Sequence, residues 1–194
     1  LRFKGFFRTM IFLPCTTSLV AYSIIFRSLF ANDGLVNYVL VNLGILDKPY
    51  NFLTQPFAAK IVIILALLWR WTGYNMVFFL SGLQNIEYSV YEAAKIDGAS
   101  AIQTFFKITV PLLKPTILLT AIMSTNGTLQ LFDESINLTD GGPANASISM
   151  SHYIYNLCFK YVPNFGYAAA MSFFILLLVA VLALIQMRVG DKRD

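Results

Sequence analysis

Side chains that could carry out acid–base or metal chemistry are few in this chain, and they are scattered. The candidates are Arg70, Asp133 and His152. His152 is the only histidine, and no cluster of carboxylates accompanies it, so we expect neither a metal site nor a catalytic one. We expect His152 at the surface of a loop. An enzyme built on these three residues is the weaker alternative, because they do not group acid, base and nucleophile at one place.

A second polar set repeats at intervals of four residues: Thr116, Thr120, Ser124 and Thr128. On an α-helix such residues form a stripe that drifts by about 40° per step. Small hydroxyl residues in a stripe let helices pack closely and bond across them. The same stripe could instead line the path of a hydroxyl-rich solute. The pattern alone slightly favours packing.

The elements that carry these residues are predicted to be membrane helices. Hydrophobic residues make up 57% of the chain and charged residues 12%, and the mean hydropathy is +0.66. These values are typical of a polytopic membrane protein. Since about 20 apolar residues cross the hydrocarbon layer, the sequence predicts an all-α membrane protein with four spans, at about 9–30, 58–83, 112–132 and 167–187.

The second span contains Arg70 near its centre. Twelve Leu, Ile, Val and Phe residues between 61 and 83 favour insertion by about 4 to 7 kcal/mol, against a cost of about 3 kcal/mol for a central arginine. A charge at this depth indicates either a functional site with a partner or a guanidinium bonded to backbone carbonyls. Asp133 is a poor partner, because its spacing places it at another depth.

Basic residues orient the predicted spans. Nine of the fourteen lie before the first span, between the second and third, or after the fourth: Arg2, Lys4, Arg8, Lys95, Lys107, Lys114, Arg188, Lys192 and Arg193. The positive-inside rule makes that face cytoplasmic, with both termini on it. The net charge of +4 therefore reflects membrane topology and carries no indication of nucleic-acid binding.

Both predicted outer loops contain helical patterns. Apolar residues from Leu35 to Leu43 recur at helical spacing between a possible cap at Asp33 and a stop at Gly44, which predicts a short helix in the membrane surface. The stretch TDGGPANAS predicts turns, and the residues from Met150 to Tyr161 present one apolar helical face.

The cytoplasmic loop, 84–111, is predicted to be a helical hairpin. Residues 87–96 form the first helix, Gly98 turns the chain, and residues 99–109 form a second helix that Pro111 ends. Pattern alone predicts no more than a solvated amphipathic hairpin below the bilayer.

The order of residues in this loop is more specific. Glu92, Ala93 and Ala94 are followed after three residues by Gly98, and after nine more by Ile108, Thr109, Val110 and Pro111. This order resembles the EAA motif, EAA-x3-G-x9-I-x-LP, of the permease subunits of binding-protein-dependent ABC importers. Val110 stands where the motif has leucine, which is a conservative departure.

Three further stretches are similar to the carbohydrate branch of that family, the maltose, multiple-sugar and glycerol-phosphate type: FFRTMIFLP at 6–14, WRWTGYNMVFFLSGLQNI at 69–86 and LFDESINLTDGGP at 131–143. The resemblance covers essentially all 194 residues. It implies a single permease domain over 1–194 with part of the type I ABC importer permease fold: four spans, short interfacial helices and a coupling loop. The two upstream helices that such permeases have are expected to be missing.

The resemblance also implies a function, that of a non-enzymatic subunit of an ATP-driven sugar importer in the bacterial inner membrane. The implied partners are a cytoplasmic ATPase dimer, a second permease subunit and an extracytoplasmic sugar-binding protein. No nucleotide-binding loop of the G-x4-G-K-S/T type occurs in the chain, so the ATPase would use the ATP and this chain would need no cofactor. The residues implied to couple it to the ATPase are Glu92, Ala93, Ala94, Asp97, Gly98, Ile108 and Pro111.

Alignment with the maltose-type permeases implies a substrate path through the first three predicted spans. The matching residues are Cys15, Thr72, Gly73, Met76, Ser124 and Thr128. Their side chains differ from those of the maltose type, so the sugar stays open. Permeases for glycerol phosphate, polyamines or amino acids remain alternatives, although the LTDGGP stretch resembles the carbohydrate branch.

Overall fold

The computed structural model describes residues 3–190, and these contain helices and turns but no strand. Three of the basic residues used to orient the spans, Arg2, Lys192 and Arg193, lie outside this range. The helices are α1 Lys4–Thr16, α2 Leu19–Leu29, α3 Leu35–Asn42, α4 Pro56–Gln84, α5 Tyr88–Ile96, α6 Ala101–Thr104, α7 Val110–Leu112, α8 Lys114–Leu129, α9 Asp133–Thr139, α10 Met150–Tyr155 and α11 Phe165–Gly190. Single π-helical turns follow α6 at Phe105–Thr109 and α10 at Asn156–Lys160.

Two of these helices, α4 and α11, are each long and apolar enough to cross a bilayer. Two helix pairs pass the same test only together, because each is bent: α1 with α2, by 102°, and Ala101–Leu112 with α8, by 64°. The described residues thus contain two spans, or four if each bent pair counts as one. The prediction of a helical membrane protein is confirmed.

The first predicted span, 9–30, is not one continuous helix. It breaks after Thr16, where Thr17 and Ser18 adopt extended backbone angles. Pro14 lies inside α1, and the Thr16 and Thr17 hydroxyls donate to the carbonyls of Leu13 and Pro14 at 2.8 and 2.7 Å. Such local bonds compete with the helical ladder, and proline weakens it further. Hydropathy, which carries no information on the ladder, could not show the break.

Arg70 provides a hydrogen-bond donor for the backbone at this break. Its Nη1 donates to the carbonyl oxygen of Thr17 at 3.3 Å, and the Cys15 thiol donates to the carbonyl of Arg70 at 3.3 Å. An unpaired carbonyl in lipid is costly, so a guanidinium beside it stabilises the bent pair. Of the two roles weighed for Arg70, bonding to backbone carbonyls is the one observed.

The aromatic ring of Tyr22 links Arg70 to a buried acid. The guanidinium carbon lies 5.0 Å from the centre of that ring, and the Tyr22 hydroxyl donates to Oε1 of Glu134. Glu134 is 4% exposed. The acid nearest to Arg70 in this chain of contacts is therefore Glu134 of α9, and Asp133 has no part in it.

The core lies around this tyrosine, where α2, α4 and α9 meet. Its buried members are Tyr22, Phe26, Val62, Ile63, Ala66 and Leu138. Alanine and valine on α4 allow the two large rings of α2 to approach the helix, so the aromatic pair fills the space between the three elements.

Helix α4 contacts α1 on one side and α8 on the other. At Gly73 the backbone of α1 comes so close that an added Cβ would overlap the carbonyl oxygen of Ile11 and lie 2.9 Å from Cα of Phe12. At Gly82 the added atom would lie 2.7 Å from the Thr116 hydroxyl. Gln186 of α11 donates to the Thr125 hydroxyl of α8 at 2.8 Å, which joins the last helix to the bundle.

Pro111 does not end the second helix of the 84–111 loop, contrary to the prediction. The helix continues through Pro111 to Leu112 and bends only at Leu113. A capping box starts it: Ser100 Oγ accepts from the Gln103 amide at 3.3 Å, and Gln103 Oε1 accepts from the Ser100 amide at 2.9 Å. The π turn between Phe105 and Thr109 widens the backbone just before the proline, where a regular α-helix would place a clashing carbonyl.

The short helix predicted after the first span is present as α3. It begins after Gly34, and no side chain caps it, so the predicted Asp33 cap is wrong. The predicted stop at Gly44 is confirmed. Gly44 has φ +70°, and the amides of Gly44 and Ile45 bond back to Val41 and Leu40, both at 3.0 Å.

The α1–α4 contact predicts a cost for the smallest possible side chain at Gly73. We expect Gly73→Ala to lower the free energy of unfolding by about 1 to 3 kcal/mol, because the added methyl group meets backbone that cannot rotate away. Thermal unfolding of the purified permease in detergent measures this. Gly127→Ala is the control, since its Cβ would meet nothing within 4 Å; equal melting temperatures for the two variants would contradict the close contact.

The buried pair of Tyr22 and Glu134 predicts non-additive behaviour. We expect Tyr22→Phe to destabilise the protein by about 1 to 3 kcal/mol, because a buried carboxylate loses its donor, and Glu134→Met added to it to restore part of that loss. Thermal unfolding of the single and double variants forms the cycle. If the two losses simply add, the hydrogen bond does not contribute as described.

Candidate functional site

A cleft of about 180 Å³ opens between α4 and α8. It lies near the middle of α4 and along the last two turns of α8, away from the close contact at Gly82. Its walls are Leu67, Leu68, Trp71, Thr72, Asn75, Met123, Ser124, Gly127 and Thr128. None of these nine side chains is ionisable.

The polar groups of the cleft are available to a ligand. Within residues 3–190, the side chains of Asn75 and Ser124 make no hydrogen bond to the protein. The hydroxyls of Thr72 and Thr128 donate within their own helices, to Leu68 and to Ser124, and keep free lone pairs. The cleft therefore offers an amide and a hydroxyl as donors and several oxygens as acceptors, and all of these groups are neutral.

An aromatic surface completes the wall. Trp71 is 39% exposed and packs edge-on against Tyr74, with ring centres 5.4 Å apart. A flat indole beside neutral hydrogen-bonding groups suits a solute that has both apolar C–H surface and hydroxyls.

Three of the six predicted path residues line this cleft, and three do not. Thr72, Ser124 and Thr128 are in its walls. Gly73 faces α1 and Cys15 bonds to the backbone of α4, so both serve helix packing in this structure. Met76 is half-buried and does not line the cleft.

Sequence reasoning missed Trp71, Asn75 and Gly127. The signal for Asn75 was present, because Asn75 follows Thr72 by three residues and so shares its helical face. Gly127 leaves room in the wall, as nothing lies within 4 Å of an added Cβ. The stripe from Thr116 to Thr128 divides between two roles, since Thr120 is buried and only its last two members reach the cleft.

The 84–111 loop turns at Gly98, as predicted. Gly98 has φ +75°, and the amides of Gly98 and Ala99 bond to the carbonyls of Lys95 and Ala94 at 3.2 and 3.0 Å. This pair of bonds forms a Schellman motif that closes α5. The positive φ favours glycine, because a side chain there crowds the following carbonyl.

The surface of this turn is apolar and uncovered. Ile96 and Ile102, on either side of Gly98, are 85% and 72% exposed. Of the predicted coupling residues, Glu92, Ala93, Asp97, Gly98 and Pro111 are exposed, Ile108 is half-buried and Ala94 is buried. The Tyr91 hydroxyl is hydrogen-bonded to the Thr109 hydroxyl at 3.2 Å, which ties α5 to the π turn.

His152 lies at the opposite end of the bundle, and it is buried, not at the surface as predicted. Its side chain is 0% exposed, and Nδ1 lies 2.9 Å from the Ser135 hydroxyl of α9. The prediction failed because Ser135 is 17 positions away in sequence, and only the packing of α10 on α9 brings the two together. Cys15 and Cys158 are both free.

Three curated relatives illustrate the sequence similarity. The chain is 56% identical over 195 residues to the lactose transport system permease protein LacF of Rhizobium radiobacter, which aligns with 100% of this chain and 65% of the relative. It is 36% identical to the multiple sugar-binding transport system permease protein MsmF of Streptococcus mutans (97% and 64%). It is 33% identical to the arabinooligosaccharides transport system permease protein AraP of Bacillus subtilis (98% and 61%). The chain thus spans less than two thirds of each of these relatives.

Two solved structures have a similar fold. One is a bacterial ABC transporter involved in the import of the acidic polysaccharide alginate, with TM-score 0.86, 24% identity, 100% of this chain and 68% of that chain covered. The other is a bacterial alginate ABC transporter in complex with an alginate pentasaccharide-bound periplasmic protein, with TM-score 0.77, 26% identity, and coverage of 98% and 66%.

The fold, the helical spans and these similarities agree with the resemblance carried by the EAA-x3-G spacing. The sequence pattern of one protein family, the binding-protein-dependent transport system inner membrane components, matches residues 2–193. The relatives are transport permeases and not enzymes, and those named here serve sugars. The chain belongs to the family of binding-protein-dependent transport system inner membrane components, and within it resembles the carbohydrate branch.

Proposed function

We propose that this chain belongs to the membrane-spanning permease subunit of an ATP-driven sugar importer and forms half of its translocation path. The observation that carries this proposal is the cleft between α4 and α8, whose walls are neutral and whose Asn75 and Ser124 side chains have no hydrogen-bond partner among residues 3–190. Sugars need donors and acceptors for their hydroxyls and an aromatic face for their C–H surface.

The neutral wall argues against the alternative solutes. Polyamines, amino acids and glycerol phosphate carry full charges, and a charge that enters a membrane-embedded site without a partner is expensive. Among the sugars, lactose is the first to test, because the lactose permease LacF is the relative with 56% identity.

The 84–111 loop is proposed to couple the permease to a cytoplasmic ATPase dimer. Glu92, Ala93, Asp97 and Gly98 are exposed at its turn, between the uncovered side chains of Ile96 and Ile102. An apolar knob with charges beside it fits a partner groove in the way an amphipathic helix does. The buried Ala94, together with Ile108 and Pro111, would hold the knob on the bundle.

Movement of this knob would reach the cleft through α8. The knob is joined to α8 through the π turn and α7, and α8 forms one wall of the cleft. The close contacts of Gly82 with Leu113 and Thr116 would make α4 follow the start of α8. Coupling of this kind is a biased movement between two packed states.

The remaining parts of the proposal concern assembly and orientation. The permease would lie in the bacterial inner membrane with the 84–111 loop and both termini of this chain in the cytoplasm, as the basic residues indicate. A second permease subunit would form the other half of the path, and a sugar-binding protein would deliver the solute outside. Only 11% of the most apolar stretch of α11 is buried within the chain, and its exposed surface would face lipid or that second subunit. Residues 1–194 would act as one domain.

A substitution at Gly98 tests the coupling. We expect Gly98→Val to abolish sugar uptake while membrane insertion stays normal, because a β-branched residue at φ +75° cannot hold the turn. Uptake of labelled lactose in cells with the complete transporter, and copurification of the ATPase, are the measurements.

Gly98→Asn is the matched control for this experiment. Asparagine adds a side chain of similar bulk, but it tolerates the left-handed region, so it should keep most of the uptake. Normal uptake with Gly98→Val would refute the coupling role, and equal loss in both variants would mean that bulk and not backbone conformation matters.

A substitution in the cleft tests the solute path. We expect Asn75→Leu to lower kcat/KM for sugar uptake by about tenfold, which corresponds to about 1.4 kcal/mol for lost hydrogen bonds to the solute. Since the amide makes no bond within the described chain, the unfolding temperature should not fall.

Thr120→Val is the control on the neighbouring helix. Thr120 is buried and its hydroxyl donates to Thr116 and Ile117 in its own helix, outside the cleft. It should leave kcat/KM for the sugar within about twofold of the native value, a change of less than 0.5 kcal/mol. Unchanged sugar uptake with Asn75→Leu would exclude this cleft from the path.

A further inference from the structure

A histidine at the corner between α9 and α10 has one ring nitrogen without a hydrogen-bond partner among the described residues. His152 is completely buried, and its Nε2 has no hydrogen-bond partner among the described residues. The ring packs edge-on against Phe132, with centres 6.1 Å apart. An unpaired buried polar atom is rare and needs an explanation.

The hydrogen bonds of Ser135 determine which nitrogen carries the proton. Its single hydroxyl proton goes to the carbonyl of Ser147, 2.8 Å away, because a carbonyl can only accept. The same oxygen accepts from the Ser149 amide at 3.2 Å. Nδ1 of His152, at 2.9 Å, must then donate to the Ser135 oxygen. In the neutral ring the proton is therefore on Nδ1, and Nε2 presents a lone pair.

That lone pair faces a carboxylate oxygen already bound to a lysine. Nε2 lies 3.9 Å from Oδ1 of Asp140, and Lys160 donates to the same oxygen at 2.9 Å. Two acceptors that face each other make no bond, but a proton placed on Nε2 would turn the contact into an ion pair. Lys160 and His152 would then compete for one oxygen.

The backbone that carries Asp140 is strained, and the backbone that carries Lys160 is irregular. Asp140 ends α9 in the left-handed region, with φ +47°, and Ala144 and Asn145 nearby also have positive φ. Lys160 is the last residue of the π turn Asn156–Lys160. The Asp140–Lys160 pair thus ties a strained turn to an irregular helix end.

We propose that this corner is an acid-responsive switch, in which Asp140 is held by Lys160 when His152 is neutral and by the His152 imidazolium when a proton enters at Nε2. Nε2 takes the proton from the surrounding water, and no other covalent bond is made or broken. In the acid arrangement Lys160 is released and the π turn at 156–160 loses its tie to α9. In the orientation proposed above, the corner faces the outside and meets the pH of the medium.

The surrounding charges leave Asp140 as the acid that can pair with Nε2. The carboxylate of Glu134 on α9 already accepts a hydrogen bond from the Tyr22 hydroxyl. The other ionisable groups on α9, α10, α11 and the π turn are Asp133, Tyr153, Tyr155, Cys158, Tyr167 and Arg188.

The lowered pKa of His152 places the switch on the acid side of an ordinary histidine. Burial lowers the pKa of His152 below its ordinary value, Asp140 opposes this by raising it, and Lys160 lowers it further. The bond to Asp140 raises the pKa of Lys160, which stays charged. Because the pKa of His152 is lower in the fold than in the unfolded chain, stability present above the ordinary histidine pKa is lost as the pH falls through the lowered one.

Alkylation of Cys158 in the π turn measures the release. The complete transporter in lipid nanodiscs is treated with N-ethylmaleimide from about pH 8 to about pH 4, a range that extends well below the ordinary histidine pKa because the pKa of His152 is lowered. Modification at Cys158 is read by peptide mass spectrometry. Each rate is divided by the rate in His152→Asn at the same pH, which cancels the titration of the thiol. Asparagine keeps a donor near the Nδ1 position but does not titrate.

We expect the normalised rate to rise several-fold as the pH falls. Asp140→Asn, which suits the left-handed backbone at this position, should abolish the rise. Lys160→Met should give a high rate at every pH. A normalised rate that is constant over the range, or a rise that persists in Asp140→Asn, overturns the proposal.

Hydrogen exchange of the 156–160 amides gives a second reading without a thiol. We expect its rate, normalised in the same way, to rise in acid in the native chain and not in Asp140→Asn. Both measurements use the purified complete transporter in nanodiscs without sugar. They are therefore independent of the uptake experiments with the Gly98 and Asn75 variants, and either set can fail without the other.

Discussion

The constraint on which the bundle depends is the backbone that the bend between α1 and α2 exposes. In lipid no water is available to pair with the freed carbonyl of Thr17, so a side chain must do it. Arg70 donates to that carbonyl from the middle of α4, and its charge lies over the Tyr22 ring, whose hydroxyl bonds to Glu134. Arg70 thus holds the bend and links α4 to α2, and Tyr22 extends the link from α2 to α9.

Polar groups within the bundle fall into two classes. Those of Tyr22, Glu134 and Arg70 are occupied by one another or by backbone, and they hold helices together. Those of Asn75 and Ser124 have no protein partner in the described residues and face open space. A membrane protein can keep such free groups only where a cavity admits water or a solute. Whether a polar side chain has a hydrogen-bond partner in the protein, more than its polarity, separates structural residues from candidate path residues.

Sequence predicted what depends on local order and missed what depends on packing. The turn at Gly98 followed from the motif spacing, and the bond from Arg70 to a backbone carbonyl was one of two stated roles. The break at Thr17 and Ser18 was missed because hydropathy does not see the helical ladder, although Pro14 and three hydroxyl residues marked it. The burial of His152 and the place of Glu134 required contacts 17 and 112 residues apart, which no local pattern contains.

The π turn at Phe105–Thr109 also has a consequence for helical phase. Such a turn accommodates one residue more than an α-helical turn, so every position after it lags by one residue, or about 100° of rotation. Pro111 therefore points where residue 110 of an uninterrupted helix would point. The π turn begins within the nine residues between Gly98 and Ile108. Loss of a single residue there would keep the helix but turn α7 to a different face, so the fixed length of the motif specifies an angle as well as a distance.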